Sequence, residues 1–137
     1  MHRPRLKRAV YDTSALMLLA EGVHVFEDVE ALLEARPECI ILRPVLEELK
    51  KHSGSRSVRK RRAARLALSI VERACRVVEF GSGMLADDAI VEYVLRDPEA
   101  IPVTADTGLH RRLLRLGIPH IYYREEKRGF ELSGRVV

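Results

Sequence analysis

A three-layer α/β/α domain around a mainly parallel sheet of about five strands is predicted by three features of this 137-residue chain. Short apolar runs of strand length alternate with stretches of helical periodicity, the connections between them are short, and two strands close on an aspartate. The aspartates matter because ligands bind at the C-terminal edge of an open parallel sheet. No internal repeat, low-complexity tract or linker interrupts the pattern. Residues 1–137 therefore read as one domain, with a basic N-terminal extension over about 1–7 and a tail over about 125–137.

The first strand lies in Lys7 to Ser14, K-R-A-V-Y-D-T-S. Ala9, Val10 and Tyr11 suit a buried strand, Asp12 ends it, and Thr13 or Ser14 caps a helix begun by Ala15 to Leu19. Val25 to Arg36 has helical spacing at Phe26, Val29, Leu32 and Leu33 and stops before Pro37. Cys39 to Leu42, C-I-I-L, is the continuous apolar run of a fully buried parallel strand. Pro44 opens the next helix at its favoured first turn, and Val45, Leu46 and Leu49 give that helix an inner face. His52 to Ser57 is a flexible loop. Ser57 caps a long helix to about Ala74, basic where it starts and buried, through Leu66, Leu68, Ile70 and Val71, where it ends.

Val77 to Phe80 makes the third strand and Gly81-Ser82-Gly83 a loop. Asp87 or Asp88 then caps a helix with Ile90, Val91, Val94 and Leu95 on its packed side, ended by Asp97-Pro98. Ile101 to Ala105 is the fourth strand, closing on Asp106. Thr107 caps the helix from Leu109 to Leu116, which finishes at Gly117, and Ile118 to Tyr123 is the fifth strand.

With 47% hydrophobic and 32% charged residues the chain reads as soluble and globular. No apolar run approaches the roughly 20 residues that span a bilayer, and M-H-R-P-R-L-K-R lacks the apolar core of a signal peptide, so a cytoplasmic protein is the expectation. Cys39 and Cys75 sit among apolar residues without zinc-site spacing and are expected to be core thiols, not a disulfide. The five histidines form no metal-ligand pattern, and none is proposed as a base.

Net charge is only +4, but Arg56 to Arg65 holds six basic residues (Arg56, Arg59, Lys60, Arg61, Arg62, Arg65) and no acid. Arg111, Arg112 and Arg115 form a second group. Such clusters favour nucleic-acid phosphates; the plainer alternative is a solvated arginine-rich helix in a heat-adapted protein. Tyr122 and Tyr123 offer rings for base stacking, against a plainer reading of one as core and the other as a strand-edge residue.

In this topology Asp12 and Asp106 fall at matching strand ends, and Asp87 or Asp88 starts a helix that follows a strand. Glu47 and Glu48 differ by about 100° around their helix, and Glu48 neighbours Val45 and Leu49, so Glu48 is the one to join them. Singly each acid has a dull explanation as a cap or a surface group; the case rests on their falling together. Carboxylates with ordinary pKa values near about four repel one another, and a divalent cation offsets them. All-oxygen ligation suits Mg²⁺ or Mn²⁺, which can activate water and neutralise charge on a phosphodiester oxygen.

Val10-Tyr11-Asp12-Thr13-Ser14, Leu46-Glu47-Glu48-Leu49, Ala86-Asp87-Asp88-Ala89-Ile90 and Val103-Thr104-Ala105-Asp106 resemble, in order and spacing, the four motifs of PIN-domain nucleases. The similarity runs from about Ala9 to Tyr123 and includes Leu109-His110-Arg111-Arg112-Leu113 and Gly117-Ile118-Pro119. It implies a metal-dependent endoribonuclease whose acids hold Mg²⁺ or Mn²⁺. Carried over position by position, these are Asp12, Glu48 and Asp106, with Thr104 as the accompanying hydroxyl and Thr13 or Ser14 near the metal. In the third motif the D-x-x-I form selects Asp87, with Asp88 sharing the role or binding through water. Arg59, Lys60, Arg61, Arg62, Arg111 and Arg112 would contact RNA phosphates.

Two branches of the family fit. D-D-A-I-V and H-R-R-L-L-R resemble the branch that processes ribosomal RNA precursors, whereas the small size fits VapC-type toxins, which implies an antitoxin partner and a homodimer. The alternative from another class is a non-catalytic RNA-binding or assembly module with a vestigial acidic site. A receiver-like phosphorylation module fits poorly: the first strand ends on one acid, Phe80-Gly81-Ser82 follows the third strand, and Ile118, not a lysine, precedes Pro119.

Overall fold

A computed structural model of the protein describes residues 6–134. Most of the expected N-terminal extension and the end of the expected tail lie outside the described residues. Five strands are parallel: β1 (Arg8–Tyr11), β2 (Glu38–Leu42), β3 (Cys75–Val78), β4 (Ala100–Thr104) and β5 (His120–Arg124). A sixth, β6 (Gly129–Ser133), pairs antiparallel with β5, giving the order β3-β2-β1-β4-β5-β6. The architecture is the expected three-layer α/β/α, with one strand more than the sequence suggested. That strand escapes a periodicity reading because it is a short edge strand reached by a tight hairpin, in which Arg128 takes a left-handed conformation (φ 49°).

The helices are α1 (Thr13–Met17), α2 (Val25–Leu33), α3 (Arg43–His52), α4 (Val58–Ala74), α5 (Ala86–Arg96) and α6 (Thr107–Arg115), with a 3-10 turn over Leu18–Glu21. The chain order runs outward from β1 in one direction and from β4 in the other, so the switch point lies between those two strands, where a parallel sheet opens a crevice. Asp12 and Asp106 follow them.

The apolar runs do what their composition requires. Val10, Ile40, Ile41, Leu42 and Ile101 are fully buried in the sheet, and Leu16, Leu49, Ile90, Leu109 and Leu113 cover it from the helices. Each such side chain contributes about 1.5–3 kcal/mol of burial. Three local expectations need correction. The buried face of α4 is Ala63, Ala64, Ala67 and Val71, small residues that let the helix approach closely, and Leu66 is exposed, as is Leu95 on α5, a residue expected on the packed side. β3 starts at Cys75, directly after α4, and the chain leaves the sheet before Phe80, which packs edge-on against Tyr93 at 5.4 Å.

The third correction concerns the cysteines. Cys39 and Cys75 are register partners on β2 and β3, with Cα atoms 4.6 Å apart, and form a disulfide. Parallel pairing sets them side by side on one face of the sheet, a relation invisible in a sequence separation of 36. Among the described residues no helix is long and apolar enough to cross a membrane.

Candidate active site at the C-terminal edge of the sheet

Asp12 leaves β1 and immediately turns the chain into α1. Its side chain is only 4% exposed. Oδ1 accepts hydrogen bonds from the Ala15 amide at 2.8 Å and the Ser14 hydroxyl at 2.7 Å, and Oδ2 accepts one from the Thr104 hydroxyl. Asp12 is thus itself the cap of α1, a role the sequence reading gave to Thr13 or Ser14. The same hydroxyls reach the other half of the site. Thr104 Oγ1 accepts from the Asp106 amide at 2.9 Å, and Ser14 Oγ accepts from the Ala105 amide at 2.9 Å. Burial pushes the Asp12 carboxyl up to about 7, against the pull of these donors.

Asp106 likewise caps its own helix, Oδ2 accepting from the Leu109 amide at 2.8 Å, so Thr107 is not the cap of α6. Glu48, on α3, is half-buried whereas Glu47 is exposed, in keeping with the helix-face argument. On α5 neither Asp87 nor Asp88 is the cap; both lie in the first turn, and Leu85 holds the N-cap position without a side-chain bond. The two aspartates then part. Asp88 accepts a hydrogen bond from Arg112 at 2.6 Å. Asp87 turns to the acids, and its carboxyl is raised by burial and by the charges of Asp106, Glu48 and Asp88, with Arg112 acting the other way.

Asp12, Glu48, Asp87 and Asp106, from four separate elements, line one cavity of about 340 Å³ together with Thr13 and Ser14; Leu85 and Ala86 complete it. Thr13 Oγ1 is buried without a hydrogen-bond partner, alone in this among the described side chains. A buried hydroxyl left unpaired costs about 1–3 kcal/mol, which a water or cation in the cavity would relieve. As the side chains stand, no three His, Cys, Asp or Glu groups among the described residues are gathered closely enough to enclose a metal ion. The donor set is nonetheless entirely hard oxygen.

The cations divide as well. Arg59, Lys60 and Arg62 are exposed on the first turns of α4 and line a groove of about 910 Å³ against the 3-10 turn, floored by Met17, Ala20, Ala63 and Leu66. Arg61 instead turns back to the Ser55 carbonyl at 3.1 Å. On α6, Arg111 is exposed and Arg112 is held by Asp88. Tyr122 is buried, stacked on His110 at 3.8 Å, and Tyr123 meets Phe130 edge-on near the sheet edge, which is the plainer of the two readings of those rings.

One pairing escaped the sequence reading altogether. His110 Nδ1 lies 2.7 Å from His120 Nε2, and His120 Nδ1 donates to the Ile118 carbonyl at 2.8 Å. With Nδ1 of His120 donating, its Nε2 accepts from His110, and burial lowers both rings so that the pair is neutral. The available signal was position: His110 falls between the inward-facing Leu109 and Leu113, and His120 precedes the buried Ile121.

A family model described as PIN like domain matches residues 9–126. Ribonuclease VapC4 of Methanocaldococcus jannaschii is 30% identical over 132 residues, spanning 94% of this chain and 98% of that protein. The solved structure of the PIN domain endonuclease Utp24 superposes with a TM-score of 0.75 at 24% identity, covering 94% of this chain and 92% of that one, a likeness of fold. With the family model matched over most of its length and a relative 30% identical along nearly all of it, the chain belongs to the PIN-domain nuclease family.

Proposed function

We propose that this protein is an endoribonuclease that hydrolyses RNA phosphodiester bonds with a divalent cation, Mg²⁺ or Mn²⁺, held by Asp12, Glu48, Asp87 and Asp106. The observation that carries the reading is the convergence of these four acids, from four elements, on one cavity in which Asp12 and Asp87 are pushed up by burial and like charge. A relative named as a ribonuclease supports the same chemistry. The residues fit such an ion: the donors are all oxygen, the guanidinium that acts on Asp87, that of Arg112, is itself bonded to Asp88, and the buried Thr13 hydroxyl has no polar partner among the described residues. Mg²⁺ commonly keeps several waters and takes one or two carboxylates directly, so loosely gathered acids are compatible with it. When bound, the ion supplies an activated water and neutralises charge on the phosphodiester oxygens.

The chain's own groups have distinct tasks. Thr104 and Ser14 hold both oxygens of Asp12 and, through the Asp106 and Ala105 amides, tie its orientation to the end of β4. Asp106 is fixed in turn by the α6 amide it caps. Asp88 serves by anchoring Arg112 and stands outside the set that lines the cavity. Arg59, Lys60, Arg62 and Arg111, exposed to solvent, hold RNA phosphates away from the cleavage point, while Arg61 ties α4 to the loop before it at Ser55 and Arg112 ties α6 to Asp88 on α5. The test is cleavage of RNA with Mn²⁺ or Mg²⁺ by the parent and by Asp12→Asn. Loss in the variant is expected, and equal cleavage by both overturns the proposal.

A toxin-type role, with an antitoxin partner, is favoured over ribosomal RNA processing by the groove beside α4. Its apolar floor and its mainly basic rim of Arg59, Lys60 and Arg62, in which Glu21 stands 4.0 Å from Arg59, suit an acidic amphipathic helix. Co-expression with the product of an adjacent antitoxin-like reading frame is expected to give a complex that no longer cleaves RNA; undiminished cleavage overturns this second reading.

A further inference from the structure

One lining residue has no part in the chemistry just described. Leu85 faces the cavity beside Asp12, Glu48 and Asp87, yet it is 76% exposed, the most of any large apolar side chain among the described residues. A solitary exposed leucine is ordinary on a protein surface. This one is held in place at the mouth of a charged pocket. Gly81 packs so closely, at φ 78°, that a Cβ there would stand 2.5 Å from Ala89 Cβ. The Met84 amide donates to the Gly81 carbonyl at 2.9 Å, and the Ala89 amide donates to the Leu85 carbonyl at 3.0 Å as the first bond of α5. The turn thus presents Leu85, with the exposed Met84 before it, from a backbone fixed on both sides.

Local stability does not account for leucine at this position. Leu85 is the N-cap of α5, where serine, threonine, aspartate and asparagine are favoured and leucine is poor. The cavity's other lining groups are polar apart from the single methyl of Ala86. A nucleotide seated there would set its phosphate against the acids and their cation, and Leu85 alone among the lining residues offers a broad apolar surface to the uncharged face of a base.

We propose that Leu85, flanked by Met84, is the apolar contact for the nucleobase next to the scissile phosphate. The inference rests on the reading of the cavity as an RNA-cleaving centre. Such a contact tolerates any base, because every base has an apolar face, and it is denied to a base inside a duplex, whose faces are already stacked.

The chain contains no tryptophan, so Leu85→Trp introduces a single fluorescent reporter. With the four acids intact and Ca²⁺ in place of Mg²⁺ or Mn²⁺ to suppress cleavage, a short single-stranded oligoribonucleotide of mixed sequence is expected to quench its emission, and the same strand annealed to its complement is expected to leave it unchanged. Leu85→Ser, which supplies a favoured cap residue, is expected to keep or raise Tm while weakening single-strand binding about three- to tenfold. Single-strand binding without quenching, equal quenching by the duplex, emission that follows protein concentration and not RNA, or unaltered affinity in Leu85→Ser would each overturn the inference while leaving RNA cleavage standing. Failure of every form to bind or cleave RNA overturns the cleavage reading, and the inference with it.

Discussion

At the N-terminal edge of the sheet, where β1 to β4 begin, carboxylates meet arginines. Arg8 pairs with Asp97 and Glu99, and Arg76 with Glu38. At the C-terminal edge, where β1 and β4 end, carboxylates meet one another around a cavity. The arginines hold Asp97 and Glu38 below the usual carboxylate range, whereas burial holds Asp12 above it and burial with like charge does the same to Asp87. The first edge settles its charge within the chain, and the Cys39–Cys75 disulfide fastens it further. The second leaves like charges that Arg112 offsets only in part at Asp87, the situation a bound cation would relieve.

The contrast breaks most readily at the acids. Asp12→Asn and Asp106→Asn are expected to lower RNA cleavage about 10²- to 10⁴-fold, while Arg76→Gln at the opposite edge changes it less than about twofold. Steady-state rates on one RNA decide between this and a diffuse effect of charge. Thr104→Ala removes the hydroxyl between Asp12 and the Asp106 amide and is expected to cost about 10- to 100-fold, with Thr104→Ser retaining most of the activity.

The N-terminal edge answers to stability instead. Replacing Cys39 and Cys75 together by serine frees a loop of 36 residues and is expected to cost about 2–4 kcal/mol, read by denaturant unfolding, with cleavage at moderate temperature intact.

The smallest effect is a pH slope of opposite sign at the two edges. Asp12 titrates near 7 when folded and, like any aspartate, near 3.8 when unfolded. Between those values the folded chain keeps a proton that the unfolded chain has lost, so the stability from this group is greatest at low pH and falls as pH rises toward 7. Asp97 and Glu38, held low, act in the reverse sense and weaken the fold only as pH drops below the ordinary carboxylate range. Melting in the presence of a chelator is therefore expected to give a lower Tm at pH 8 than at pH 5.5. Asp12→Asn should remove much of that difference, raising Tm at pH 8 by about 3–10 °C.

Much of this was legible in the chain. Continuous apolar runs such as Cys39 to Leu42 have no stable place except a covered parallel strand, and Glu48 was separable from Glu47 by helix geometry alone. The alternation of strands and helices then carried Asp12 and Asp106 to one edge. What stayed hidden depends on pairing across the fold. The Cys39–Cys75 bond is a matter of strand register, the His110–His120 contact joins a helix to a strand, and Arg61 and Arg112 look like free cations until Ser55 and Asp88 are placed beside them. The caps were misassigned for a local reason: Asp12 stands next to Thr13 and Ser14, and Asp106 next to Thr107, and each of these side chains can cap.

The most direct test of the contrast between the edges is isothermal titration calorimetry with Mn²⁺. The parent and Arg76→Gln are expected to give the same saturable binding, with Asp12→Asn and Asp106→Asn losing it. Absence of binding in the parent, or one isotherm common to all four proteins, would contradict a cation site built from the acids at the C-terminal edge.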